Sequence, residues 1–87
     1  MNKAKSNRFS LAQMQAGQKA RIVEINGGST LVRKLDALGI RVGKEITKVS
    51  AQLMKGPVLL RRGHTQAALG FGMASKVLVE IISEDKI

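Results

Sequence analysis

Nine glycines divide this chain into apolar stretches that are nearly all of strand length, and this punctuation constrains the fold more than any other feature. Short apolar runs closed by glycine-containing turns describe a turn-rich, mostly β domain. One stretch has a different period. Leu31, Leu35 and Leu38 recur at i, i+4 and i+7, which places them on one helical face. Ser29 or Thr30 supplies an N-cap oxygen. Gly39 stands where a helix stop needs a left-handed residue, a conformation glycine adopts without a Cβ penalty. If Gly39 is that residue, Ile40 folds back onto Leu35 in the contact of a Schellman stop.

The remaining stretches read as strands. Residues 18–25 are rich in β-branched side chains and end at Asn26-Gly27-Gly28. Gly43 opens a strand over residues 44–53, on which Val49, Ala51 and Leu53 alternate onto one face. Ile46 has the wrong parity for that face, so a bulge is expected between Ile46 and Val49. Lys55-Gly56-Pro57 turns into a strand over 58–61, and Gly63-His64 makes a tight hairpin into 65–69. Residues 73–76 form one helical turn before a last strand over 77–82. Ser10 caps a short turn over 11–14, which Gly17 ends. Residues 1–8 read as a flexible basic tail, 9–83 as a single domain and 84–87 as a polar end. Five short strands on one core, with the α-helix inserted after the first, make a small, partly open barrel.

Composition narrows the chemistry. At 87 residues a chain buries about 60% of its unfolded surface, enough for one core but a poor basis for a deep catalytic cleft. The two aromatics, Phe9 and Phe71, leave the core to aliphatic side chains. Without cysteine there is no disulfide framework, thiolate metal site or thiol catalysis. No apolar run approaches the roughly 20 residues that span a bilayer, and the stretch after the basic start is too polar for a signal peptide. The expected location is the cytoplasm, at most brought to the inner membrane face by a partner. Fifteen Lys and Arg against six acids give a net charge of +9, which favours anionic partners.

Several segments together resemble the ferrous iron transport protein A (FeoA) family. They are Gly17-Gln18-Lys19-Ala20-Arg21-Ile22-Val23, the helix end Leu35-Asp36-Ala37-Leu38-Gly39-Ile40, and Val42-Gly43. In the second half they are Gly56-Pro57-Val58, Gly63-His64-Thr65 and Leu69-Gly70-Phe71-Gly72-Met73-Ala74. The resemblance spans residues 9–82 and implies an SH3-like barrel. It also implies a cytosolic accessory to FeoB, the membrane GTPase permease that imports ferrous iron. The same fold is similar to the C-terminal domain of iron- and manganese-dependent repressors. Phe71 stands where related sequences often carry a basic residue.

Read residue by residue, the chain offers no catalytic group. His64, the single histidine, follows glycine in a turn beside Arg61-Arg62, with no acid near it in sequence to orient it as a base. No nucleophile elbow, Walker sequence or dinucleotide fingerprint is present. One histidine and six scattered acids do not supply a ferrous-iron site, so neither a metal nor a cofactor is expected. Protein binding fits better. A groove between the helix and the turns, rimmed by Arg33, Lys34 and Arg41, would suit an apolar anchor from an acidic partner. The candidate contact residues are Leu31, Val32, Arg33, Arg41, Met54, Leu59 and Phe71, with Gly39 and Gly43 as structural glycines. The alternative is a basic nucleic-acid-binding barrel, or a detached repressor C-terminal domain. Single-strand binders stack bases on aromatics, and this chain has no Tyr or Trp.

Overall fold

The computed structural model describes residues 8–50 and 56–84. Met54, Ala51 and Leu53 therefore lie outside the described residues, as do residues 1–7 and 85–87. Among the described residues six strands form one antiparallel sheet: β1 (Arg8–Ser10), β2 (Gln18–Ile25), β3 (Glu45–Ser50), β4 (Val58–Arg62), β5 (Thr65–Leu69) and β6 (Val77–Glu84). The order across the sheet is β1-β6-β2-β3-β4-β5. Two helices complete it, α1 (Ser29–Ala37) between β2 and β3, and α2 (Phe71–Ala74) before β6.

The architecture is the expected mostly-β one, with six strands in place of five. The additional strand, β1, is three residues long and pairs Phe9 with Val79 and Ser10 with Leu78. Three residues carry too little alternation to register as a strand, and β1 forms because β6 offers it an edge. Residues 11–13 then make a single 3-10 turn, whose Gln13 Oε1 accepts the Ser10 N–H at 2.9 Å. The register shifts between Lys19 and Ala20, between Ile22 and Glu24, and between Lys48 and Ser50. Such bulges bend and twist strands, which lets a small sheet curl over one core.

That core comprises Leu11, Ile22, Leu35, Ile40, Ile46 and Leu60 among its larger aliphatic residues, each no more than 2% exposed. On β3 the inward face differs from the expected one at Lys48. Ile46 and Lys48 point inward, while Val49 is half-buried. The bulge falls at Lys48–Ser50, after Ile46 has already taken the inner position.

α1 behaves at its end as the sequence predicts. The Ile40 N–H donates to the Leu35 carbonyl and the Gly39 N–H to the Asp36 carbonyl, both at 2.9 Å. Gly39 has φ of +81°, and Leu35 and Ile40 are both buried in the core. This is the bond pattern of a Schellman stop. Two details differ. The N-cap is Gly28, with no side-chain cap bond, so Ser29 and Thr30 lie inside the first turn. Leu38 is 41% exposed, because the helix ends at Ala37 and the non-helical Leu38 no longer follows the 3.6-residue period.

Candidate partner-binding surface

β2 ends at Ile25, opposite Val77 at the start of β6, and the Asn26 N–H donates to the Lys76 carbonyl at 2.7 Å. This crossing brings the loop into α1 against α2. A groove of about 360 Å³ opens between them. Gly27, Gly28, Thr30, Leu31 and Lys34 form one bank. Gly72, Met73 and Lys76 form the other. Leu31 and Met73 are half-buried and pack against the core, so they present apolar surface from a fixed floor. Lys34 and Lys76 are exposed, and among the described residues no acidic side chain lines the groove.

α2 is held rigidly for so short an element. The Ala74 N–H donates to the Gly70 carbonyl at 3.0 Å, and the Ser75 hydroxyl donates to the Phe71 carbonyl at 2.9 Å. Ala74 is buried in the core cluster, which anchors α2 there.

The candidate contact residues are divided between this groove and other surfaces. Leu31 lines the groove, and half-buried Phe71 begins α2 next to Gly72. Val32 is 42% exposed on α1, with Arg33 beside it. Arg41 is exposed beyond the helix stop, its Nε 3.0 Å from Asp36 Oδ1. Leu59 alternates with buried Val58 and Leu60, so it faces the outer side of β4 opposite Ala68. Val32, Arg33, Arg41 and Leu59 do not line the groove. Gly43, at φ +95°, donates to the Ile22 carbonyl at 2.8 Å and turns the chain into β3. Met73, Gly72 and Lys76 escaped the sequence reading. The helical turn expected over 73–76 forms two residues earlier, at Phe71–Ala74, and nothing local in that segment signals that it docks beside α1.

An ion-pair cluster lies elsewhere, on the outer surface of the sheet. Glu45 sits 3.2 Å from Arg21 and 3.6 Å from Lys19 across the β2–β3 pair. Among the described residues, Lys48 is the one charge-bearing side chain buried in the core. Its Nζ donates to the Met14 carbonyl at 2.6 Å and to that of Ala12 at 3.4 Å. Burial pushes its pKa below the ordinary lysine value. Among the described residues, no group of three or more His, Cys, Asp or Glu is placed to hold a metal. Among them, too, no helix is long and apolar enough to cross a membrane.

A single antiparallel sheet curled over one core, with a short helix between its strands, defines the class of small SH3-like domains. Residues 9–81 match the FeoA domain, and the chain belongs to that family of small accessory domains of ferrous iron transport. A Methanocaldococcus jannaschii protein named for Fe(2+) transport is 28% identical over 83% of this chain and 85% of its own. The crystal structure of an iron uptake regulatory protein (FeoA) superposes with a TM-score of 0.81 at 31% identity, covering 86% of this chain and 99% of that one. A manganese-dependent transcriptional repressor shares the fold, with a TM-score of 0.78 at 14% identity, over 86% of this chain and 42% of its own.

Proposed function

We propose that this chain is a non-enzymatic accessory of ferrous iron uptake that acts in the cytoplasm, binding the cytosolic region of a FeoB-type membrane GTPase permease and modulating it. The observation that carries this reading is the FeoA domain match over residues 9–81. The geometry supports it, since the site offers a docking groove and exposed side chains rather than a cluster of reactive groups. The working unit is the single domain over 9–83. Its contact surface is centred on α1 and α2, with Leu31, Val32, Arg33 and Phe71 nearest that centre and Arg41, Leu59 and Met54 as further candidates.

The test is a titration of isotope-labelled chain with the soluble GTPase region of an iron permease, followed by amide NMR at near-physiological salt. We expect saturable shifts on α1 and α2, with affinity changing only severalfold when the salt is doubled. Val32→Asp places a charge on an already exposed position, so it should leave the fold intact and weaken binding at least tenfold. A barrel that reads phosphates would behave differently. Each neutralised phosphate releases a counterion, and six or more contacts lose roughly a thousandfold between low and moderate salt. Flat spectra with the GTPase region, together with steeply salt-dependent binding of single-stranded nucleic acid, would overturn the reading.

A further inference from the structure

We propose that the groove between the first turn of α1 and α2 takes one apolar side chain presented by an acidic segment of a protein partner. This rests on the reading above only in supposing that the chain works by binding a protein. The groove's volume of about 360 Å³ falls at the lower end of the roughly 300–1,000 Å³ typical of ligand sites. It matches a single large aliphatic side chain with its flanking backbone.

Two glycines point to an occupant. At Gly28 and Gly72 an added Cβ would meet nothing within 4 Å, and neither has a positive φ. The fold itself thus requires glycine at neither place. Gly72 even sits inside α2, where glycine is a poorer helix former than alanine. Gly27 is different, since a Cβ there would strike Leu31. Smallness at Gly28 and Gly72 keeps both banks open and allows a partner backbone to approach closely.

Charge identifies the occupant's class. Lys34 and Lys76 stand on opposite banks, and neither α1 nor α2 has an acidic residue in its first turn. Asp36 and Glu45 are engaged with Arg41 and with Lys19 and Arg21. The chain's net charge of +9 adds a long-range field of the same sign. Carboxylates flanking an apolar anchor would meet the two ammonium groups while the anchor covers Leu31 and Met73.

The probe is a blocked peptide, Asp-Glu-Leu-Glu-Asp, titrated into the labelled full chain, with lysine-for-acid and alanine-for-leucine versions as controls. Saturable shifts should concentrate on the amides of Gly27, Gly28, Leu31, Gly72 and Met73, and both controls should bind at least tenfold more weakly. Gly72→Leu fills the groove from a position with open space, and it should weaken the peptide tenfold or more without lowering the melting temperature. Lys34→Glu combined with Lys76→Glu should do the same through charge. No shifts up to millimolar peptide, shifts on other faces, or equal affinity in Gly72→Leu would overturn the proposal. So would groove shifts that depend on protein concentration without peptide, which would make a second copy of this chain the occupant. If the permease region binds wild type and Gly72→Leu alike, the groove proposal falls and the partner reading stands. If the peptide fills the groove while the permease region does not bind, the reverse holds.

Discussion

Lys48→Ala should lower the unfolding free energy by about 3–4 kcal/mol, a large share of the roughly 5–15 kcal/mol that holds a domain together. Lys48 is 2% exposed, and its Nζ serves the carbonyls of Met14 and Ala12. Its own carbonyl accepts the Gly17 N–H at 2.9 Å, so this residue fastens the 11–17 segment to β3 from both its side chain and its backbone. Alanine removes the aliphatic stem from the core and takes the ammonium away from the Met14 carbonyl. Thermal melts should show a fall of more than about 12 °C, at roughly 4–8 °C per kcal/mol for a domain of this size. Lys48→Met retains most of the volume and loses only the donors, so it should show about half the effect. A shift below about 1 kcal/mol in the alanine variant would mean that the ammonium is not seated on those carbonyls.

The same residue gives the stability a pH signature. Burial lowers the Lys48 pKa in the folded state below its ordinary 10.5. Between the folded value and 10.5 the unfolded chain therefore binds more protons than the native one, and stability rises with pH across that window. Below the folded value the native state carries the full cost of a buried cation. The chain's other basic groups titrate nearby, so the quantity to follow is the stability difference between wild type and Lys48→Met. It should widen in favour of wild type as pH climbs towards 10.5. A difference that narrows would show that the carbonyls favour the charged form more than burial disfavours it.

Lys48 also shows where the sequence stops being informative. Alternation of apolar residues selected Val49, Ala51 and Leu53 for the inner face of β3, because a lysine carries no outward sign that its stem will be buried and its ammonium satisfied. The structure turns Lys48 inward beside Ile46, since the 11–14 turn presents a carbonyl at that depth. By contrast, the α1 stop was legible. Its signals are local: apolar spacing, a glycine and the apolar residue after it all lie within ten positions. β2 was legible to its end residues for the same reason. The groove was only half legible. Leu31 and Lys34 lie on a recognisable helix, but the opposite bank depends on α2 docking at the Asn26–Lys76 crossing, a tertiary event with no local pattern. Nearness in sequence points to Arg33 and Arg41 as its rim, whereas the structure supplies Lys76 from 42 residues beyond Lys34.

Gly39→Ala should cost about 2–3 kcal/mol, from two sources that a double-mutant cycle can separate. The first is the backbone. At φ +81° an L-residue loses roughly 1–2 kcal/mol relative to glycine. The second is a neighbour, because a Cβ at this position would run into the Arg62 guanidinium. Arg62 lies across the glycine at the C-terminal end of α1, where the helix dipole favours a positive charge. Its Nε is buried without a hydrogen-bond partner among the described residues. The Arg62 side chain must move to admit the methyl group, so part of the penalty belongs to the pair. In an Arg62→Ala background Gly39→Ala should cost only the backbone portion, which leaves a coupling of at least about 0.5 kcal/mol in chemical denaturation. Gly39→Asn refines the test, since asparagine tolerates the left-handed region better yet still displaces the guanidinium. It should therefore fall between glycine and alanine in the wild-type background and approach glycine once Arg62 is gone. Strict additivity in both cycles would mean that Arg62 does not rest on Gly39 in solution, leaving the left-handed backbone as the sole reason for glycine there.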